Sequence, residues 1–358
     1  MGADTDIIKK YFKKSLAGTK GPVIGWMCTY APVELMHAAG FMPRRIYGIE
    51  DFKKADGYLP INFCPYLKSS LAQLLKEKDI LACAAFANSC DGSRRLFDMS
   101  REYLARMPAY IIDVPRSVSV ASVDFYKKSI KKFFYFLKDT KGGKAGEEDI
   151  LVSIDLFNRI RKSLGDLKIL SVQGRLSFID YCKVVRCSAV SDPALFIEEL
   201  NRLLEALSSN DSRQKDGARL MLVGNFINED RLFKILSELD INIVDDDLCT
   251  TKRYYDNKVV LEKEDVFYSL AKSYLGKPAC MRMSDMGAKV RTIKEAASAK
   301  DISAIIFASL KFCDNTLYFY PLLKEELDIP ILNIELEYNN FSEGQVKTRI
   351  EAFLEMIW

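Results

Sequence analysis

Twice along this chain, short unbroken apolar runs alternate with amphipathic stretches of helical period, and that alternation restricts the fold more than any other feature. Apolar runs without polar interruption suit strands buried on both faces, as in parallel sheets whose crossovers are helices. In the first block, Gly21-Pro-Val-Ile-Gly-Trp-Met-Cys28 reads as a strand ending in a turn. Residues 31–40 read as a helix with Pro32 in its first turn and Gly40 as its stop, and Arg45-Ile-Tyr-Gly48 as a second strand. Cys64-Pro-Tyr-Leu-Lys opens another helix, with Pro65 just inside it. Residues 79–87 form a buried-strand run, Asn88-Ser-Cys-Asp91 opens a helix through Arg101, and Ala109-Tyr-Ile-Ile-Asp-Val114 is a further strand. The second block places strands at 219–224, 241–245, 302–308 and 329–335, between amphipathic segments at 229–239 and 289–299. Residues 123–209 are helical (126–137, 150–164 and 193–207), with Lys141-Gly-Gly-Lys-Ala-Gly146 as a flexible loop. The expected architecture is α/β: two doubly wound, Rossmann-like parallel sheets, an N-terminal unit over 1–122 and a C-terminal unit over 217–358, with a helical segment over 123–216 between them. Residues 1–14 are expected to form a leading amphipathic helix.

Composition narrows the function. With 358 residues, 49% hydrophobic and 28% charged, the chain builds real cores and is not disordered. Fifty-two Lys and Arg against 49 Asp and Glu leave a net charge of +3, too little for a broad nucleic-acid or acidic-membrane footprint. No window approaches about 18 uninterrupted apolar residues, and the N-terminus lacks a secretory pattern, so a reducing cytoplasmic home is expected. His37 is the only histidine, which excludes multi-histidine metal sites and leaves any Ser-His-Asp triad or histidine base resting on this one residue. Gly-x-Gly-x-x-Gly and the Walker pattern are absent, so neither phosphate-binding signature is offered by this chain.

The nine cysteines carry the remaining signal. Ligands of doubly wound sheets sit at the carboxyl ends of strands, and Cys28, Cys64, Cys90 and Cys313 all fall in strand-to-helix loops. Cys83, Cys182 and Cys187 read instead as small buried hydrophobes, and Cys249 and Cys280 as loop residues without an assigned role. There is no Cys-x-x-Cys pair. Cys64 and Cys90 precede helices, whose amides stabilise thiolate, and Cys313 comes from the second α/β unit. Three thiolates from two units suit an iron–sulfur cluster with one iron free of protein ligands; zinc, or no metal, are the alternatives. Glu34 is a candidate base or hydrogen-bond partner, or simply a partner of its helix dipole, and His37 a packed helix residue. Asp245, Asp246 and Asp247 with Arg253 read either as a cation site or partner-loop anchor, or as a helix cap and solvated turn. Arg94 and Arg95 read as phosphate contacts, tuners of a cluster potential or plain surface residues, and the lysines at 127, 128, 131 and 132 as a solvated face.

Several motifs together resemble one family. They are Gly25-Trp-Met-Cys-Thr-Tyr-Ala-Pro-Val-Glu-Leu-Met-His-Ala-Ala-Gly-Phe-Met-Pro43, Asn62-Phe-Cys-Pro-Tyr66, Asn88-Ser-Cys-Asp91, Asp245-Asp-Asp-Leu-Cys-Thr-Thr-Lys-Arg253, Ser309-Leu-Lys-Phe-Cys-Asp314 and Gly344-Gln-Val-Lys-Thr-Arg-Ile-Glu-Ala-Phe353. In this order they resemble the 2-hydroxyacyl-CoA dehydratase and benzoyl-CoA reductase subunits, a family that includes the double-cubane-cluster reductases. The resemblance implies a [4Fe–4S] cluster held at the positions matching Cys64, Cys90 and Cys313, with Cys28 a fourth ligand, a neighbouring thiol or neither. It also implies a homologous subunit or second copy as dimer partner, and an ATP-hydrolysing iron–sulfur activator as electron donor. In the dehydratases a low-potential electron turns an acyl-CoA thioester into a ketyl radical and lets a β-positioned hydroxyl leave, with the open iron as Lewis acid. Within the same resemblance, the alternative is a homodimer in which a double cubane [8Fe–9S] reduces other small molecules. A non-catalytic cluster-binding electron carrier or scaffold is a second alternative.

Overall fold

Both alternating blocks form parallel sheets. The computed structural model describes residues 6–18, 21–209, 217–228, 230–262, 265–338 and 341–357. The first sheet consists of β1 (Val23–Trp26), β2 (Met42–Arg45), β3 (Leu81–Ala87) and β4 (Ala109–Ile112), in the order β2-β1-β3-β4. The second consists of β5 (Leu220–Gly224), β6 (Ile243–Asp247), β7 (Ala304–Leu310) and β8 (Ile331–Leu336), in the order β6-β5-β7-β8. Every pairing is parallel, so each crossover needs a helix or long loop.

The N-terminal helices are α1 (Ile7–Tyr11), α2 (Lys13–Ala17), α3 (Val33–Ala38), α4 (Pro65–Glu77) and α5 (Asp91–Tyr103). Between the sheets come α6 (Val120–Lys141), α7 (Glu147–Val172), α8 (Phe178–Ser188) and α9 (Pro193–Ser208). The C-terminal block carries α10 (Asp230–Glu238), α11 (Lys252–Tyr255), α12 (Val266–Gly276), α13 (Met286–Ala299), α14 (Asp314–Glu326) and α15 (Glu343–Ile357). Among the described residues no helix is long and apolar enough to cross a membrane.

Strand period decides which core each side chain joins. On β3, Cys83, Ala85 and Ala87 face a large common core while Ala84 and Phe86 face a smaller one with Leu71 and Leu96. On β7, Ile306, Ala308 and Leu310 face the common core, whereas Ile305 and Phe307 pack with Val290 and Phe319. The common core takes in both sheets and the intervening helices, from Ile24 and Trp26 through Phe133 and Phe157 to Leu222 and Phe353. Helix α7 packs against α3 of the first block and β6 of the second, which fixes one sheet relative to the other.

Three expectations are corrected. The second strand starts three residues before Arg45-Ile-Tyr-Gly48, at Met42, and ends at Arg45: even-numbered amides face β1, the last of them Ile46 N–H donating to Trp26 O at 2.9 Å, while the Arg45 amide on the open edge donates to the Ala189 carbonyl at 2.8 Å. Pro43 is tolerated there because β2 is an edge strand. The leading helix breaks at Phe12, which drops out of helical geometry to bury its ring against Phe196 at a centroid distance of 5.0 Å. Asp245, Asp246 and Asp247 do not follow a strand as a solvated turn: they are part of β6 and are buried. Residues 1–5 of the expected leading helix, 210–216 at the expected boundary, Glu229 and Trp358 lie outside the described residues.

Candidate functional site: six thiols around one cavity

Each sheet reverses its strand order once, between β1 and β3 and between β5 and β7, and the segments leaving these strands converge on a cavity of about 110 Å³. Six of the nine cysteines line it. Cys28, Cys64 and Cys90 come from the first block, Cys249, Cys280 and Cys313 from the second. Gly224 ends β5 at this point, where any Cβ would run into the Ala308 carbonyl, so only glycine lets β5 and β7 approach so closely.

Cys64, Cys90 and Cys313 share one local design: each is the N-cap of a 13-residue helix, α4, α5 and α14 respectively. All three thus sit at the positive end of a helix dipole, and at Cys90 the Ser93 N–H donates directly to Sγ at 3.3 Å. Burial pushes the Cys64 thiol up, and the nearby Cys313 and Cys90 push it further, against the Leu67 amide. Burial likewise raises Cys90 to about 11, with Ser93 N–H opposing and Cys313, Cys28 and Cys280 adding to the rise. These mutual effects place the thiols within electrostatic reach of one another. Cys28 sits in the left-handed region at φ 73°, and Phe312, just before Cys313, at φ 61°. Such conformations are uncommon without glycine and concentrate at functional sites.

The other cysteines of the second block form a close pair. Hydrogen bonding with Cys249 holds the Cys280 thiol well below its ordinary value, helped by Arg253 and Arg282, while the same contact raises Cys249. Asn225, immediately after β5, accepts from Cys249 Sγ at 3.4 Å and donates to Cys313 Sγ at 3.3 Å.

Around the thiols lie cations without counterions. Arg45, Lys277 and Arg282 are buried, and among the described residues none has a carboxylate within ion-pair distance. Each instead donates to a main-chain carbonyl of the opposite block beside or at a cavity cysteine. Lys277 Nζ reaches Thr29 O, Arg282 Nε reaches Ser89 O at 2.9 Å, and Arg45 Nη1 reaches Cys249 O at 2.7 Å. The acidic run of β6 is spent elsewhere: Asp245 pairs with Lys252 and Lys300, Asp246 with Lys168, and Asp247 with Lys289 and Arg253.

The remaining sequence candidates lie apart. Glu34 is fully buried on α3, its carboxylate held by Arg161 at 2.6 Å and the Tyr274 hydroxyl at 2.7 Å, and it is not on the cavity wall. His37 Nδ1 lies 2.8 Å from Ser153 Oγ, and burial lowers its pKa. Arg94 is exposed, Arg95 pairs with Asp98 and Asp91 on the surface, and Lys127 pairs with Asp265. Cys83, Cys182 and Cys187 are buried in the cores.

Comparison with known proteins decides the family. Residues 28–357 match the family model described as 2-hydroxyglutaryl-CoA dehydratase, D-component. The chain belongs to this dehydratase family. It is 27% identical to the (R)-phenyllactyl-CoA dehydratase beta subunit of Clostridium sporogenes, over 98% of this chain and 95% of that one. It is 25% identical to the lactoyl-CoA dehydratase subunit beta of Anaerotignum propionicum, with the same coverage. A benzoyl-CoA reductase subunit of Thauera aromatica is 23% identical over 94% of this chain and 90% of its own.

The donor set of this dehydratase-family chain fits an iron–sulfur group. A single zinc needs its ligands about 2.0–2.3 Å from one point. Among the described residues no three His, Cys, Asp or Glu side chains are gathered closely enough to hold a single metal ion. Six thiols spread around a cavity suit a larger, thiolate-ligated group instead. Buried cations lacking carboxylates are costly alone, and an anionic thiolate-ligated group would offset that cost. The sequence reading missed Asn225, Arg45, Lys277 and Arg282, and left Cys249 and Cys280 without a role. Asn225 was findable, since it directly follows an apolar run.

Proposed function

We propose that this chain is the cluster-bearing subunit of a 2-hydroxyacyl-CoA dehydratase-type enzyme, reduced one electron at a time by an ATP-hydrolysing iron–sulfur activator and paired with a homologous subunit or a second copy of itself. The observation that carries this reading is the ring of six thiols, three from each block, gathered onto one cavity beside the two sheet switch points. Cys64, Cys90 and Cys313 would hold a [4Fe–4S] cluster. Such a cluster supplies low-potential electron transfer and a Lewis-acidic iron when bound. The chain's own residues present three thiols on helix N-termini, and Met27, Leu67, Phe226 and Leu310 furnish a water-excluding wall. Glu34, engaged by Arg161 and Tyr274, is assigned to holding α3 beneath the Cys28 turn. Nine free cysteines accord with a reducing cytoplasm.

One observation favours a second reading, a homodimeric reductase of small molecules with a double cubane [8Fe–9S]. A single cube with three ligands leaves Cys28, Cys249 and Cys280 on the same cavity unused, whereas two joined cubes employ all six thiols. On ligand use this reading accounts for more of the site.

The test is anaerobic purification followed by iron and acid-labile sulfide analysis, with EPR of the dithionite-reduced protein. Iron and sulfide for one cube per chain, with acyl-CoA dehydration once an activator is added, support the dehydratase. Twice that iron with excess sulfide supports the double cubane. A folded protein that takes up no iron on anaerobic reconstitution overturns both.

A further inference from the structure

Arg282 is 4% exposed, stands on the cavity wall two residues after Cys280, and turns all three guanidinium nitrogens towards carbonyls of the other block, with Nη1 also 3.5 Å from the sulfur of its neighbour Met283. Nε donates to Ser89 O at 2.9 Å, Nη2 to Val114 O at 2.9 Å and Asn88 O at 3.3 Å, and Nη1 to Pro115 O at 3.2 Å. Asn88 and Ser89 form the loop that delivers Cys90, and Val114 and Pro115 follow β4 beside it. The same guanidinium lies 5.4 Å from the centroid of the Tyr30 ring, whose hydroxyl accepts from the Cys280 amide at 3.4 Å. Three thiol-bearing segments, the Cys28 turn, the Cys90 loop and the Cys280 loop, thus meet on one side chain.

Arginine alone suits this place. Its planar fork aims several N–H groups at fixed carbonyls, where a lysine offers a compact charge on a flexible stem. Carbonyls satisfy its hydrogen bonds without cancelling its charge, and no carboxylate within ion-pair distance does so among the described residues. That charge therefore acts on the cavity.

We infer that Arg282 is a positioning residue of the thiol cavity: it locks the Cys90 loop of one α/β unit to the Cys280 loop of the other and makes any group bound between them easier to reduce. The first half stands on geometry alone. The second rests on the iron–sulfur reading above.

The test uses the full-length protein with Arg282→Met, which removes fork and charge, and Arg282→Lys, which keeps only the charge. In the metal-free protein, alkylation of each cysteine is timed by peptide mass spectrometry. Both variants are expected to label Cys90 and Cys280 several-fold faster, while Cys64, on a loop to which Arg282 donates no hydrogen bond, keeps the parent rate. Equal acceleration at all six cavity thiols, or none, overturns the locking role. In the anaerobically reconstituted protein, the midpoint potential of Arg282→Met is expected to fall and that of Arg282→Lys to stay near the parent; an unchanged potential in Arg282→Met overturns the electrostatic role. Should Arg282→Met fail to fold, Arg282→Lys decides: faster Cys90 labelling with a near-parent potential supports the inference, and a parent labelling rate or a potential well below the parent's overturns it. If the parent binds no iron, the iron–sulfur reading and the electrostatic role fall together, and the labelling still decides the lock.

Discussion

Asn225 donates to the Cys313 sulfur at 3.3 Å while its carbonyl oxygen accepts from Cys249 at 3.4 Å, so one amide joins the helix-capped thiols to the Cys249–Cys280 pair. It also donates to Thr316 Oγ1 at 2.9 Å. Hydrogen bonds to ligand sulfurs raise the potential of an iron–sulfur group. Asn225→Leu is therefore expected to lower the midpoint potential of the reconstituted protein and to cost about 1–3 kcal/mol through the unpaired neighbours it leaves. Spectroelectrochemical titration and urea denaturation check the two effects, and an unchanged potential would show that the amide only fills space.

Alanine at Cys64, Cys90 or Cys313 is expected to abolish iron binding, whereas Cys83→Ala, inside β3, keeps full iron at a modest cost in stability. Alanine at Cys249 or Cys280 separates the two cluster readings. Iron analysis showing half the parent content favours the double cubane, and full content favours the single cube.

Lys277 makes the metal-free protein sensitive to pH. Burial lowers its amine from 10.5 to about 7, so in that interval the unfolded chain holds a proton that the native chain lacks, and stability rises with pH. The slope is up to about 1.4 kcal/mol per pH unit for one proton. Cys280, held below its ordinary 9.0, acts in the same direction. Towards pH 9.0 and above, the raised thiols, Cys64, Cys83, Cys90, Cys182, Cys187 and Cys249, reverse the trend, because their unfolded forms ionise while the native ones stay protonated. Urea midpoints measured from pH 7 to 8 are expected to climb in the parent and to climb less steeply in Lys277→Met.

Arg161→Met strands the Glu34 carboxylate in the core and is expected to cost about 3–5 kcal/mol, as for other broken buried ion pairs. Glu34→Gln, which stays polar, is expected to cost less. Neither variant should change iron content. Loss of turnover in Glu34→Gln without any fall in melting temperature would instead place the carboxylate in the chemistry.

Much of this was legible in the sequence because period and punctuation are local. The unbroken run at β3 and the Cys-Pro and Cys-Asp helix openings marked Cys64, Cys90 and Cys313 without knowledge of their partners. The Asp245-Asp-Asp run was misread because three carboxylates in a row look solvated; only long-range pairing with Lys168, Lys289 and Lys300 lets β6 bury them. Cys249 and Cys280 gave no local signal, since their meaning lies in each other and in Asn225. The cations were invisible for the same reason: a lone arginine in a sequence does not disclose that its partners are carbonyls on another sheet.

The distribution of the six thiols along the chain also sets an order of maturation. Cys28, Cys64 and Cys90 leave the ribosome early, but Cys313 and the strand β7 that carries it emerge only after the helices α6 to α9 and the strands β5 and β6 have been made. No translation product that stops short of Cys313 can present the whole ring, so any group that needs thiols of both blocks must wait for the segment after β7, and until then the early thiols stand exposed to whatever metals and oxidants the cell contains.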